Sequence, residues 1–387
     1  MTRVAYVVDH LQIGGAQSHL LQVVRGLDRG TWELEVWTAS AEPGDLAPVF
    51  EQEGVPVRSF GIDSTLMSTR TLSAARRVAR EMRARDVAVI HGYLFEGNFL
   101  AALVGRLGRR PVTLVSKRSL DRYDRLDRRL AAALSNRLAD RVTVNARAVR
   151  DLVAEHEWCP TDRMVLIPNG VSLPSRSFQA AAATGGQDLP VVGMVGRLGW
   201  KKGYEFALRA AVIVRDAIPA VRFDIVGDGA LRVELEAMAR DLGLDGTVRF
   251  LGKRRDVAEL MAGFDCYMLS SVIEGMPNAL LEAMALGRPV VTTSAGGSAE
   301  VVVHGESGIV VPTRDADALA QGVLRILRDP ALAKRLGTEA ERRVRREYDQ
   351  ATMLRSIDRL YRDELARVGV DVPEPAASEP PGAARVA

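Results

Sequence analysis

Two glutamates, Glu274 and Glu282, flank a turn and a helix start and could bind hydroxyl groups. The chain leaves an apolar strand at Leu269, turns through Glu274-Gly275 and enters a helix at Pro277, whose missing N–H costs nothing there. Carboxylates on the loop and one to two turns inside the helix can accept hydrogen bonds from different hydroxyls of one ligand, such as a sugar or a ribose. The alternative interpretation is a surface glutamate beside an ordinary helical one.

A second motif, around Arg197 and Lys202, could bind phosphate. Arg197 follows a predicted strand almost directly, and Lys202 stands at the entrance of the next helix. A guanidinium fork, an ammonium charge and the unpaired amides of a helix start converge at this point. That combination suits a diphosphate better than a single charge. The alternative is a solvent-exposed basic turn.

The elements that would position these motifs alternate between strand and helix along the chain, which predicts parallel sheets wrapped by helices. In the first half, strand Val4–Val8 leads into a glycine loop, Gly14-Gly15, and then into a helix. Ligands of such sheets bind beyond the carboxyl ends of the strands, so the loops of two facing domains would share one cleft. The predicted strands of the second half are Val191–Val195, Arg222–Val226, Val248–Leu251, Cys266–Leu269 and Val290–Thr293.

The expected fold class is therefore α/β, with two facing, doubly wound, Rossmann-like domains and a cleft between them. Residues 1–172 form the predicted N-terminal domain and 190–350 the C-terminal domain. Residues 173–189, rich in Ser, Ala, Gly and Pro, form the predicted linker. A helix is expected over 351–368, and the proline-rich residues 369–387 are expected to be disordered.

The composition is that of a soluble globular protein, with 387 residues, 47% apolar and 26% charged. Cys159 and Cys266 match no zinc or redox spacing, and the five histidines form no metal-binding pattern, so neither a metal nor a disulfide framework is expected. No P-loop is present, and no segment has the length of a signal peptide core or a membrane span. A cytoplasmic location is expected, with room for peripheral contact at the inner membrane face.

Positive charge is concentrated over residues 103–150, which carry 13 basic and 4 acidic side chains. Such a surface could meet anionic lipid headgroups, a phosphorylated acceptor or nucleic acid. The alternative is an ordinary solvated face. An anionic membrane is the partner we expect at this segment, and nucleic acid is not expected.

In their order and spacing these motifs resemble the retaining glycosyltransferases of family 4, which have the GT-B fold of two facing Rossmann-like domains. The resemblance spans roughly residues 3–365. It rests on Gly14-Gly15-Ala16-Gln17, Ile167-Pro168-Asn169-Gly170-Val171, Val195-Gly196-Arg197-Leu198, Lys202-Gly203, Val226-Gly227-Asp228-Gly229, Phe250-Leu251-Gly252, the pair Glu274 and Glu282, Gly287-Arg288-Pro289-Val290-Val291, and Gly296-Gly297 with Glu300.

The resemblance implies a nucleotide-sugar donor bound between the domains. It places the diphosphate at Arg197 and Lys202, the sugar hydroxyls at Glu274 and the ribose at Glu282. The further donor-binding residues that it implies are Gly14, Gly15, Gly196, Gly252, Lys253, Arg254, Gly275, Met276, Pro277 and Asn278. It also implies metal-independent, retaining transfer of a hexosyl-type sugar to a hydroxyl of a glycolipid, a polysaccharide intermediate or a small glycoside. No cofactor is expected, and UDP is the expected nucleotide.

One position departs from the family pattern. The family often has a His-x-His pair at the end of an N-domain strand, and here His91 keeps the first place while Tyr93 takes the second. His91 is expected either to act catalytically at the cleft or to be a satisfied core histidine, and Tyr93 could donate to a sugar hydroxyl. Arg118 could hold phosphate or acceptor, with a salt bridge to Asp121 or Asp124 as the alternative.

Two other classes of function fit parts of the pattern. A nucleotide-sugar epimerase or a glycan phosphorylase would share the fold, and it would form product from the donor alone or with orthophosphate. A non-enzymatic protein could use the basic segment to bind anionic surfaces, although that reading leaves the glutamate pair unexplained.

Overall fold

The computed structural model describes residues 1–62, 69–108, 112–121, 123, 125–173 and 189–373. These residues form two sheets in which every strand pair is parallel, one in each half of the chain. The predicted α/β class with two Rossmann-like domains is confirmed. Residues 174–188 and 374–387, which contain most of the predicted linker and tail, lie outside the described ranges.

The N-terminal sheet has seven strands in the order β3-β2-β1-β4-β5-β6-β7. Its strands are β1 Thr2–Val8, β2 Trp32–Thr38, β3 Val57–Ser59, β4 Val87–Tyr93, β5 Val112–Lys117, β6 Arg141–Val144 and β7 Met164–Leu166. The helices are α1 Gly15–Gly26, α2 Ala47–Gln52, α3 Thr69–Ala84, α4 Phe95–Gly108, α5 Leu126–Leu138 and α6 Arg147–His156. Strand β1 is buried on both faces, as a central parallel strand must be.

The C-terminal sheet has six strands in the order β10-β9-β8-β11-β12-β13. Its strands are β8 Val191–Val195, β9 Arg222–Val226, β10 Val248–Gly252, β11 Cys266–Leu269, β12 Val290–Thr293 and β13 Ile309–Val311. The helices are α7 Tyr204–Ala217, α8 Arg232–Asp241, α9 Val257–Ala262, α10 Asn278–Ala285, α11 Ser298–Val301, α12 Ala316–Arg328 and α13 Pro330–Glu347.

Both strand orders reverse at the first strand of the sheet, between β1 and β4 and between β8 and β11. A crevice opens beyond the carboxyl ends of the strands at such a reversal, because the two flanking connections leave toward opposite faces. The loop with Gly14-Gly15 leaves β1, the loop with Arg197 and Lys202 leaves β8, and the loop with Glu274 leaves β11. The topology thus delivers each predicted motif to a crevice.

The last helix, α14 (Gln350–Arg367), returns to the N-terminal domain. Its buried residues Met353, Ile357 and Tyr361 belong to the same apolar cluster as β1 and α1. The chain enters this helix beside the other interdomain connection, since the Val171 N–H donates to the Tyr348 carbonyl at 2.9 Å and Gln350 N–H donates to the Val171 carbonyl at 3.1 Å. The two crossings between the domains therefore run side by side.

The domains also share packing. One apolar cluster joins N-domain residues such as Val144 and Val149 to C-domain residues such as Met276 and Leu280. Burial of this kind is the main favourable term in folding, so it holds the two crevices against each other. The cleft is a fixed part of this structure.

Candidate functional site

The centre of the C-terminal crevice is an ion pair between Lys202 and Glu274. Lys202 ends the short 3-10 turn Trp200–Lys202 after β8, and Glu274 lies in the loop after β11. The Lys202 Nζ lies 2.5 Å from the Glu274 Oε1, and the Ser271 hydroxyl donates to the same oxygen at 2.6 Å. Because β8 and β11 are neighbours, residues 72 positions apart in sequence meet.

The loop that carries Glu274 is packed so closely that glycine is required. A Cβ on Gly275 would stand 2.2 Å from the Arg118 carbonyl oxygen of the N-terminal domain, and one on Gly297 would stand 1.9 Å from the Gly275 carbonyl oxygen. Neither distance is possible for a real side chain, because both neighbours are backbone atoms. We name residues 274–278 the donor loop, after its expected ligand; it is held between residues 296–297 and Arg118.

Arg197 reaches across the cleft to the glycine loop of the other domain. Its Nη2 donates to the Ile13 carbonyl at 2.9 Å, and a Cβ on Gly14 would lie 3.2 Å from the same nitrogen. Asn278, at the start of α10, donates to the Gly15 carbonyl at 3.3 Å. The structure therefore brings Gly14 and Gly15 together with Arg197 and Asn278, as a shared cleft requires.

Glu282 lies half-buried on α10, and its surroundings are apolar enough that burial raises the pKa of its carboxyl. Within the described residues this carboxyl has no ion-pair or hydrogen-bond partner from another side chain. Its predicted contact with a ribose stays a prediction. A partly buried acid without a protein partner is a group that a ligand hydroxyl could satisfy.

Three glycines at the carboxyl ends of β8, β9 and β10 lie side by side. A Cβ on Gly227 would stand 2.0 Å from the Gly196 carbonyl oxygen, and the Gly227 N–H donates to the Gly252 carbonyl at 2.8 Å. Gly227 thus connects Gly196 to Gly252. The exposed Lys253 follows Gly252, and Arg254 is paired with Asp256 at 2.5 Å.

His91 lies in the N-domain core. Its side chain is 2% exposed, with Nδ1 hydrogen-bonded to the Tyr361 hydroxyl and Nε2 to the Ser116 hydroxyl, both at 2.8 Å. Burial, with a smaller contribution from the charge of Arg118, lowers the pKa of His91 to about 3. Both ring nitrogens thus have partners in the core, which is the geometry of the alternative, a satisfied core histidine. A catalytic role of His91 at the cleft stays a prediction.

Tyr93 is also buried, at 1% exposure, with its ring against His91 and His19. Burial raises the pKa of its hydroxyl. The structure therefore gives no support to Tyr93 as a donor to a sugar hydroxyl. The buried His19 of α1 contacts the Met353 sulfur at 3.1 Å, which ties the helix after the glycine loop to α14.

Arg118 and Asn169 connect the N-terminal domain to the donor loop. The Arg118 Nη2 donates to the Asn169 Oδ1 at 2.5 Å, and the Asn169 amide donates to the Met276 carbonyl at 2.9 Å and to the Asn278 Oδ1 at 2.6 Å. Asp121, the expected alternative partner of Arg118, is paired with Lys201 instead. Asp124 lies outside the described residues. No role for Asn169 was predicted from the sequence, although its place in the motif Ile167–Val171 could have indicated one.

The carboxyl pair of Asp9 and Glu96, at the edge of the N-terminal sheet, was not predicted from the sequence. Asp9 directly follows β1; it accepts a hydrogen bond from the Gly97 N–H at 2.6 Å and shares another with Glu96. Burial and the neighbouring Glu96 raise the pKa of Asp9 well above its usual range. The rings of Phe95 and Tyr123 lie beside this pair, 4.5 Å apart. An acid immediately after a central strand was the available signal.

No helix of the described ranges is long and apolar enough to cross a membrane. In the same part of the chain, no group of three or more His, Cys, Asp or Glu side chains is arranged to hold a metal ion.

The fold is the two-domain GT-B fold. HepE from Anabaena, solved with UDP and glucose, superposes with a TM-score of 0.80 at 24% identity, covering 93% of this chain and 99% of HepE. Sucrose-phosphate synthase from Thermosynechococcus elongatus superposes with a TM-score of 0.78 at 22% identity, covering 95% of this chain and 100% of that one.

Sequence comparison then gives the family. Residues 13–174 match the model of Glycosyltransferase Family 4, and residues 189–329 match that of Glycosyl transferases group 1. The lipopolysaccharide core biosynthesis glycosyltransferase LpsE of Rhizobium meliloti is 31% identical over 333 residues, 84% of this chain and 88% of LpsE. The chain therefore belongs to glycosyltransferase family 4.

Proposed function

We propose that this glycosyltransferase moves a hexosyl-type sugar from a UDP-sugar to a hydroxyl acceptor, with retention of configuration and without a metal ion. The observation that carries the proposal is the pair of Lys202 and Glu274, together with Arg197, which reaches from the same side of the cleft to the Gly14-Gly15 loop of the other domain. The cations of Arg197 and Lys202 and the carboxylate of Glu274 lie at the cleft between the carboxyl edges of the two sheets. Support for UDP comes from HepE, whose structures hold UDP and glucose.

The charges of the cleft suit a diphosphate. Arg197 has a neutral carbonyl as its partner and no carboxylate within ion-pair distance among the described residues. Among the described residues, Glu274 is the one carboxylate paired with Lys202. A diphosphate that enters between them gains both cations, and Glu274, released from Lys202, becomes free to accept hydrogen bonds from sugar hydroxyls. The unpaired amides at the start of α1 add positive potential on the opposite wall.

In the proposed reaction the bond between the anomeric carbon and the β-phosphate oxygen breaks, and a bond to the acceptor oxygen forms on the same face. The acceptor proton passes to the departing phosphate oxygen, so no separate protein base is required. Arg197 and Lys202 stabilise the charge that develops on the diphosphate, in the way that an oxyanion hole stabilises its oxyanion. The engagement of His91 in the core agrees with a step that needs no histidine.

The test is a transfer assay with UDP-, GDP-, ADP- and TDP-sugars and a hydroxyl acceptor, with NMR of the product. We expect transfer from a UDP-sugar, the same anomer in product and donor, and no loss of rate in EDTA. Glu274→Gln should lower the rate by about 100-fold or more. The exposed Glu259→Gln, in the same domain, is the matched control.

Three results of this assay would contradict the proposal. Inversion of the anomer would remove the retaining step, and full activity of Glu274→Gln would remove the role of the carboxylate. Product formed from donor alone, or only with orthophosphate, would favour an epimerase or a phosphorylase.

We also propose a glycolipid or polysaccharide intermediate as the acceptor, which the name of LpsE supports. Such an acceptor would be met at the cytoplasmic face of a membrane. Around α5 the large side chains Leu126, Leu130 and Trp158 are 64%, 47% and 54% exposed, and the Arg129 guanidinium lies over the Trp158 ring at 5.0 Å. Exposed apolar side chains among arginines suit an anionic lipid surface.

Vesicle co-sedimentation tests this contact. We expect binding to vesicles with 30% anionic lipid to fall by about 10-fold when Leu126 and Leu130 are both replaced by Ser, since each side chain would leave an apolar environment. Val233→Ser, at an exposed position of the C-terminal domain, is the control. Equal binding of the double variant and the wild-type protein would contradict the membrane proposal and leave the transfer proposal untouched.

A further inference from the structure

Arg118 carries a positive charge that no carboxylate of the described residues balances. Its guanidinium donates to the Asn169 Oδ1 and lies 5.9 Å from the centre of the Tyr93 ring. No carboxylate lies within ion-pair distance of it among the described residues. Burial lowers the pKa of Arg118 to about 10, which still leaves it charged at neutral pH.

Two other half-buried arginines pair with buried carboxylates. Arg85 donates to the buried Glu35 through two nitrogens, and Arg141 donates to the buried Glu364 at 2.7 Å. Removing a guanidinium from water is costly unless an anion or several acceptors replace the water. Arg118 has one amide oxygen and one ring face, so several of its five N–H donors are left for another partner.

The nearest groups add no negative charge. His91 and His19 are buried, and burial together with the charge of Arg118 lowers the pKa of each, so both rings are neutral at pH 7. The Tyr93 hydroxyl stays protonated, because burial raises its pKa. Asp121, three residues further on, is paired with Lys201 across the cleft.

The position of Arg118 separates it from the diphosphate site. Lys202 contacts the donor loop at Glu274, whereas Arg118 contacts it at Gly275 through its carbonyl and, by way of Asn169, at Met276 and Asn278. Gly275, Met276 and Asn278 are residues expected to bind the donor. Arg118 therefore lies next to the donor loop on its N-terminal side, and its contacts with that loop differ from those of Lys202.

We propose that Arg118 binds an oxyanion of the substrate, a carboxylate or phosphate group carried by the transferred sugar or by the acceptor and distinct from the donor diphosphate. The inference rests on the proposed function and sharpens it: the substrates include an acidic one, such as a hexuronate donor or an anionic acceptor. A guanidinium suits this task because its planar fork matches two oxygens of one anion.

Calorimetric titration with UDP, UDP-glucose and UDP-glucuronate tests the donor arm on the full chain. If the sugar carries the anion, the wild-type protein should bind UDP-glucuronate about 10-fold or more tightly than UDP-glucose. Arg118→Gln should erase that difference, Arg118→Lys should keep part of it, and affinity for UDP should change less than about twofold. Arg209→Gln, at an exposed position of α7, is the control.

The acceptor arm uses sodium glucuronate and sn-glycerol 3-phosphate as probes, titrated into protein saturated with UDP. If the acceptor carries the anion, one probe should bind about 10-fold more tightly to the wild-type protein than to Arg118→Gln. Melting temperatures of both Arg118 variants check the fold. The inference is overturned if Arg118→Gln changes neither the preference for UDP-glucuronate nor the affinity for either acceptor probe. It is also overturned if Arg118→Gln lowers the affinity for UDP as much as the affinity for every other ligand. Absence of UDP binding to the wild-type protein would instead contradict the proposed function.

Discussion

The carboxyl edges of the two sheets share a backbone plan and differ in their electrostatics. In the C-terminal domain, Lys202 and Glu274 form an ion pair at 2.5 Å. In the N-terminal domain, the equivalent edge holds Asp9, whose pKa is raised well above its usual range, and His91, whose pKa is lowered to about 3. One edge is built from opposite charges, and the other favours the neutral forms of its acids and bases.

This difference indicates that the two edges have different roles. An ion pair at a cleft can exchange its partners for those of a charged ligand, so the C-terminal edge can respond to a diphosphate. Neutral groups held by short hydrogen bonds, such as His91 between Tyr361 and Ser116, are satisfied without a ligand and fix the wall of the cleft. Arg118 is the exception on the N-terminal side, which is why it draws a substrate anion.

The largest effect is expected where the charged edge is broken. Lys202→Met should lower kcat/KM for transfer by about 100-fold or more, because the cation acts on the leaving diphosphate. It should also lower the free energy of unfolding by about 1–3 kcal/mol, because Glu274 keeps a buried charge without its cation. Adding Glu274→Gln should restore most of the stability and none of the transfer. Urea denaturation and steady-state kinetics measure the two quantities.

Lys334→Met, at an exposed position of α13, controls for the loss of one lysine. If the double variant is no more stable than Lys202→Met, Glu274 does not depend on Lys202, and the description of the edge as an ion pair is wrong.

A smaller effect is expected when the pH is lowered, through the loss of folding stability that His91 contributes at the N-terminal edge. The pKa of His91 is lowered to about 3 in the folded chain, so the stability it contributes is present above its unfolded value and is lost as pH falls toward 3. Between pH 7 and pH 5 this loss should reach about 2 kcal/mol, given an unfolded pKa near 6.5. His91→Gln should be less stable at pH 7 but lose less on acidification, by denaturant unfolding at both pH values.

The exposed His304→Gln is the control for that experiment. Parallel pH profiles for His91→Gln and the wild-type protein would show that His91 takes up its proton in the folded chain, against the neutral assignment.

The smallest effect concerns Asp9. Its raised pKa means that the stability tied to its protonated form is present at low pH and is lost as pH rises through the folded value. Asp9→Asn cannot ionise, so its stability relative to the wild-type protein should increase from pH 5 to pH 8, as measured by urea denaturation. A relative decrease over that range would mean that Asp9 is a stabilised carboxylate and that the two edges are electrostatically alike.

The same contrast explains what could be predicted from the sequence. The C-terminal motifs are contiguous: Arg197 and Lys202 share one loop, Glu274 lies directly beyond the end of β11, and the predicted bounds Val191–Val195 and Cys266–Leu269 match the observed strands. Local residue types and the positions of the strand ends were therefore enough to predict the C-terminal part of the site.

The N-terminal wall could not be predicted in this way. His91 is hydrogen-bonded to Tyr361, 270 positions away, and Arg118 donates to Asn169, 51 positions away, so the surroundings of both depend on packing that no local pattern encodes. Strands β6, β7 and β13, of four, three and three residues, were not predicted.

The most direct test of the central claim, that cations of the C-terminal edge hold a nucleoside diphosphate against the other domain, is calorimetric titration of UDP into four proteins. These are the wild type, Arg197→Met, Lys202→Met and the exposed control Arg209→Met. We expect UDP to bind the wild type and the control alike, and to bind each of the other two variants about 10-fold or more weakly. Equal affinity of all four proteins for UDP, or no binding by any of them, would contradict the central claim.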